Sequence, residues 1–224
     1  MGQGISAILT FAVGVAISPV PIIAVTLMLF SRRARQNGPM FLVGWVLALA
    51  AVSGLAYLAA DQANAATNST TADTIAWSKI VFGVLFWLLA ARNWRTRPAP
   101  GTEPEMPKWM AGIDTMTPAK TFGLGLLLAG VNPKNLMLAA AAGSALAALG
   151  LSTGNAIGSL IVFVIIASLT IAGPVFYYLF GGEPAKTKLD EMKNWLALHN
   201  NAVMAVLFLV LGASLIADGL PPLT

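Results

Sequence analysis

The chain has 224 residues, of which 57% are hydrophobic and 10% charged, with a mean hydropathy of +0.77. A soluble domain carries roughly a quarter charged residues, so this composition excludes a soluble fold and implies an all-α integral membrane protein. The net charge of +4 does not point to nucleic acid, because the basic residues flank apolar spans, and the lack of cysteine excludes disulfides, thiol redox chemistry and Cys-based metal sites.

The first apolar stretch, Ile5 to Phe30, has no basic region before it and is too long for a signal-peptide core, so it reads as a retained first span. "MGQGIS" fits a myristoylation pattern, but Gly2 lies almost against that span on the expected non-cytoplasmic side. A span needs about 20 apolar residues. Six segments qualify: 5–30, 39–60, 75–92, 119–149, 156–180 and 201–217. The fourth is long enough to tilt, break or include a re-entrant part.

The loops set the orientation. The first carries Arg32, Arg33 and Arg35; the second carries no basic residue, two aspartates, and "NST" at 68–70, a sequon only in a glycosylating host. The third carries Arg92, Arg95, Arg97, Lys108 and Lys120, the fourth is uncharged, and the fifth carries Lys186, Lys188 and Lys193. Eleven of the 13 basic residues thus lie in loops one, three and five, which the positive-inside rule makes cytoplasmic. Both termini are then on the outer side of the cytoplasmic membrane. Residues 93–118 hold five prolines and mixed charges, which reads as a cytoplasmic linker whose end, from Lys108 to Met116, rests on the membrane with Trp109 as an anchor. Within 184–198, Leu189, Met192, Trp195 and Leu196 share one helical face, which predicts a short interfacial helix.

The chain therefore divides into a first three-helix repeat, 1–92, the linker, and a second repeat, 119–224. Each repeat opens with a long glycine-containing span interrupted by proline, at Ser18–Pro21 and at Val131–Lys134. An odd number of spans per repeat makes the second copy inverted, and matching broken helices in inverted repeats point to a transporter's central site. Proline removes an amide donor and clashes with the preceding turn, and a break in hydrocarbon persists only where it is buried in protein or lines a wet cavity. The candidate substrate-binding residues are therefore Ser18, Pro19, Pro21, Asn132, Pro133, Lys134 and Asn135, brought together near the midplane. The alternative for each break is an ordinary kink.

Lys134 lies about fifteen residues from either end of its span, too far for easy snorkelling, and no Asp or Glu lies in a span core to pair with it. Three states are open to it: a neutral amine, a charged one held by carbonyls freed at the prolines, or a charged one meeting an anionic group on a substrate. A re-entrant wet mouth at Asn132 is the plainer setting. Arg32, Arg33 and Arg35 either bind anionic headgroups at the inner leaflet or only fix topology. Divalent-cation transport would need carboxylates or imidazoles in the spans, and nucleophilic catalysis a base beside a serine. Neither is present, so no metal, no cofactor and no enzymatic activity are expected. Gly150, Gly154 and Gly158, and Gly14 with Ser18, have small-xxx-small spacing and are expected to be packing surfaces.

"VAISPVPIIAVTLML", the basic turn leading into "GPMFLVGWVLALA", and "GVNPKNLML" resemble the GAP/Sap family, the glycopeptidolipid- and sulfolipid-addressing proteins of mycobacteria and other actinobacteria, within the LysE transporter superfamily. The resemblance covers nearly the whole chain. Amino-acid exporters of that superfamily usually carry Pro-Gly-Pro in the first span, whereas this chain has Pro19-Val20-Pro21. The resemblance implies six transmembrane helices in two inverted repeats and a role in moving cell-envelope glycolipids to the surface. The expected partners are membrane lipids, an amphipathic or anionic small-molecule substrate, lipid export or synthesis machinery, and a second copy in a homodimer. The alternatives are a small-solute exporter of the amino-acid type and a non-transporting scaffold for lipid export machinery.

Overall fold

A computed structural model describes residues 1–66, 71–97, 112–113 and 115–220. The sequon at 68–70, the proline-rich run with Lys108 and Trp109, and the side chain of Lys79 lie outside the described residues. Seven α-helices are described: α1 Gly2–Ala16, α2 Pro19–Leu29, α3 Ala34–Ala66, α4 Thr71–Arg95, α5 Pro118–Gly130, α6 Pro133–Ala148 and α7 Thr153–Gly219.

Three segments are long and apolar enough to cross a bilayer alone, Ala34–Gln62, Thr153–Gly181 and Pro184–Ala217. Two bent pairs, α1 with α2 and α5 with α6, pass the same test together, which gives up to five candidate spans among the described residues. α4 covers the expected third span but is not one of these, its first turns carrying Thr71, Asp73, Thr74, Ser78 and Lys79.

α7 is 67 residues long, about 100 Å if it were straight, far more than the hydrocarbon core. It therefore doubles back. Its first arm starts beside Gly4, which faces Ser159, and reaches Tyr178 beside the Ser31–Gln36 turn. Lys193 is still at that end, 5.5 Å from the Phe30 ring centroid. The second arm then returns: Asn201 Nδ2 donates to Thr96 O at 2.8 Å, and Trp87 Nε1 donates to Leu209 O at 3.1 Å. The reversal falls between Tyr178 and Lys193, where Gly181, Gly182 and Pro184 weaken the helix. The expected interfacial segment 184–198 is helical and runs unbroken into the last span.

The helices lock across the two halves. α3 lies along α5 and α6, α1 and α2 lie along α7, α4 lies along α7, and α1 crosses α6. Exchanging the halves turns the first of these contacts into the second and keeps the third, but the crossing of α1 with α6 has no counterpart between α5 and α2. In lipid there is no hydrophobic drive between helices, so close backbone approach must supply the attraction. A Cβ on Gly44 would collide with the Phe122 carbonyl, and one on Gly125 with the Phe41 carbonyl. Gly83 and Gly212 are reciprocal in the same way, their Cβ positions meeting each other's carbonyls at 2.8 and 2.7 Å. The outer faces are apolar: Ile157, Ile161, Ile165 and Leu169 form an exposed stripe at helical spacing.

The expected Gly150–Gly154–Gly158 packing stripe is not one. Gly150 sits at φ +56° in the turn before α7, nothing lies within 4 Å of a Cβ on Gly150 or Gly154, and Gly158 meets only the Met1 side chain.

Candidate functional site: the junction of two broken helices

The chain bends by 54° between α1 and α2 and by 64° between α5 and α6. Both breaks have one cause. Pro19 and Pro133 stand at the first helical position of α2 and α6, where their missing N–H costs nothing, while each prevents the preceding helix from continuing. α1–α2 and α5–α6 run in opposite directions and meet at their breaks, with Gly14 against Leu138 and Ser18 against Asn135.

A helix end leaves its last four carbonyls without intrahelical donors. At the end of α1 they are taken up one by one. Lys134 Nζ donates to Gly14 O at 2.7 Å, to Ile17 O at 3.1 Å and to Ser18 Oγ at 2.6 Å. Val15 O lies 2.6 Å from Ser18 Oγ, and Ala16 O accepts from Ser18 N at 2.9 Å and from Thr170 Oγ1 at 2.6 Å. Ser18 has one hydroxyl proton and two acceptors, Val15 O and Asn135 Oδ1 at 3.0 Å, so the shorter contact to Val15 takes it while Lys134 donates in. The amine sits where the macrodipole of α1 leaves partial negative charge.

The second break is closed by its own neighbours. Asn132 Oδ1 caps α6 by accepting from Lys134 N at 3.1 Å, and Asn135 Nδ2 donates to Leu128 O at 2.9 Å. Val131 and Asn132 both donate from the backbone to Leu127 O at 3.0 Å.

Four of the expected site residues, Ser18, Asn132, Lys134 and Asn135, come together here, with Ser18, Lys134 and Asn135 buried. Pro19 and Pro21 are buried and shape the break, while Pro133 is exposed. Lys134 Nζ is held by carbonyls freed at the first break, and all three of its polar contacts lie inside the protein. Arg32, Arg33 and Arg35 are elsewhere, past the far end of α2, about 16 Å of helix away. Sequence reasoning missed Thr170. Its one signal was a hydroxyl mid-span in "ASLTIAG", which alone does not tell a tertiary bond from a bond to its own helix.

Two hollows are described, one beside the junction and one at the far end of α2. One is a groove of about 660 Å³ between α1 and the second arm of α7; its walls include Leu9, Val13, Gly14 and Ile17 on one side and Val206 and Leu211 on the other. It opens sideways between two helices and has Trp195 and His199 at one end, their rings stacked with centroids 4.6 Å apart. The other, of about 580 Å³, is polar and is formed by Ser31 to Gln36 with Tyr178.

A family model described as "Sap, sulfolipid-1-addressing protein" matches residues 8–221. No curated protein and no solved structure gives a match.

Proposed function

We propose, from the premise that this chain belongs to the Sap, sulfolipid-1-addressing protein, family, that it is a multi-pass transporter of the cytoplasmic membrane assisting export of a polar envelope lipid. The spans are six, in two inverted three-helix repeats with α4 as the third, both termini outside. The packing of α3 along α5 and α6, matched by that of α7 along α1 and α2, supports that arrangement. The chain performs no chemistry on the lipid and draws its energy from an ion gradient or a partner protein.

The observation that carries this reading is the sideways-open apolar groove whose wall includes Gly14, the residue whose carbonyl Lys134 holds. A small-solute exporter needs an enclosed aqueous path; a lipid needs one open to the bilayer, where its chains stay in an apolar medium while the headgroup moves. Lys134 then acts as a latch. Its bonds fix α1 against α6, and any rocking of one repeat on the other must break them. The test is a deletion strain complemented with wild type, Lys134→Ala, and Val206→Trp, which fills the groove. Surface-exposed and total polar lipid are compared by selective extraction and mass spectrometry. One lipid class should stay inside on deletion and with both variants. Unchanged surface lipids on deletion end the lipid reading.

One observation favours a second reading, a static scaffold for export machinery. All three polar contacts of Lys134 Nζ are made inside the protein, as in a fixed joint. In that case Val206→Trp leaves export at the wild-type level, and substitutions in the linker 93–118 abolish it.

A further inference from the structure

Three arginines fall within four residues at the turn joining α2 to α3, and all three are exposed. Among the described residues none is in an ion pair. The described ion pairs there, Lys193 with Asp190 and Lys188 with Glu191, are both internal to α7. Fixing membrane topology requires only the charge. It does not require a concave shape, a second helix as a wall, or a rigid floor, and this turn has all three.

The hollow of about 580 Å³ is lined by Ser31, the three arginines and Gln36 on one side, and by Tyr178 of α7 on the other. The floor is held by a chain of bonds. Ser31 Oγ donates to Met28 O at 2.7 Å, and buried Asn37 Nδ2 reaches Ser31 Oγ at 3.4 Å and Met116 O at 3.1 Å. Arg33 O accepts from both Gln36 N and Asn37 N at 2.9 Å, so the turn that carries the guanidinium groups is closed on itself. The location is the membrane surface, since the candidate span begins at Ala34 and the exposed ring of Phe30 stands beside the turn.

We propose that this hollow binds the tetrahedral oxyanion ester, phosphate or sulfate, of a lipid headgroup in the cytoplasmic leaflet. The guanidinium groups grip it through two-pronged hydrogen bonds, which ammonium groups cannot make. The lipid is held by its headgroup in the hollow, with its chains in the bilayer beside Phe30. This assignment does not rest on the transport reading, because a scaffold would bind the same headgroup.

The test uses the purified full-length protein in neutral detergent, with lipid binding read by native mass spectrometry. Phosphatidylglycerol should bind at least ten times more tightly than phosphatidylcholine. R32Q/R33Q/R35Q should weaken phosphatidylglycerol binding about a hundredfold, near fivefold per arginine at a membrane surface. R32K/R33K/R35K keeps the charge and the topology, and serves if the glutamine variant does not fold; it should weaken binding about tenfold with an unchanged melting temperature. Lys134→Ala should bind phosphatidylglycerol like wild type even where export is lost, which separates failure here from failure of the transport reading. Equal affinity for the two lipids overturns the proposal, as does full affinity in the lysine variant. So does displacement of phosphatidylglycerol by an equimolar amount of inorganic phosphate, which would mark a site for free anions.

Discussion

The two broken helices have the same chemical cause but are held in different ways. The break at Ser18 is closed partly by Ser18 itself but also by residues far away in sequence, Lys134 from α6 and Thr170 from α7. The break at Asn132 is closed by residues beside it, Asn132 itself and Asn135. A locally closed break is a fixed bend that survives any movement of its surroundings. A break closed from a distance is a joint, because its carbonyls lose their donors when the halves separate. The first break is therefore the one to perturb, and the largest effects are expected there.

Lys134→Ala removes every donor that Lys134 supplies to α1, leaving buried Gly14 O and partly buried Ile17 O without that partner. Intramembrane hydrogen bonds are worth about 0.6–1.7 kcal/mol each, and a stranded buried acceptor adds to that. The expected loss is about 2–4 kcal/mol, read as a drop in melting temperature of the purified protein by tryptophan fluorescence, together with loss of export. Lys134→Met keeps the length of the side chain and should lose nearly as much. If the methionine variant melts like wild type, the joint is held by packing, and the contrast between the breaks is not one of hydrogen bonding.

Asn135 serves both breaks, donating to Leu128 O and lying against Ser18. Asn135→Leu, of similar volume, should cost about 1–2 kcal/mol, less than Lys134→Ala by the same melting assay. Thr170→Val is nearly isosteric. It should cost about 0.5–1 kcal/mol, because Ala16 O keeps a second donor in Ser18 N. A Thr170→Val loss as large as that of Lys134→Ala would make the first arm of α7, rather than α6, the main holder of the joint.

The same contrast explains what was legible in the sequence. The second break could be read directly, since asparagine, proline, lysine and asparagine in a row contain both the breaker and its caps. The first could be located by its prolines but not explained, because Lys134 and Thr170, which donate to Gly14 O, Ile17 O and Ala16 O, are over a hundred residues away in the chain. That Ser18 meets Asn135 was accessible only through the inverted-repeat argument, which pairs the breaks without saying which atoms touch. The reversal inside α7 was legible as a basic loop between two spans. That 184–198 is helical was legible from its amphipathic spacing; that the helix continues through Gly-Gly-Glu-Pro was not, because that run reads as a stop. The arginines were legible as charge; their hollow needed Tyr178, which no local pattern links to them.

The smallest expected effect is the sharpest check on the comparison. A capping asparagine replaced by glycine costs only a few tenths of a kcal/mol, because glycine adopts the cap conformation and admits water or a backbone partner to the freed amide. Asn132→Gly should therefore leave the melting temperature within error of wild type and export intact, since Leu127 O keeps its backbone donors and Asn135 still holds Leu128 O. The matching change at the first break, Ser18→Gly, should behave otherwise. Ser18 Oγ accepts from Lys134 and donates to Val15 O, so glycine there removes one of the three acceptors of Lys134 and one carbonyl's donor at once. A Ser18→Gly loss several times that of Asn132→Gly keeps the first break as the joint and the second as the fixed bend. Equal losses would mean that both breaks are held by the same network and move together or not at all.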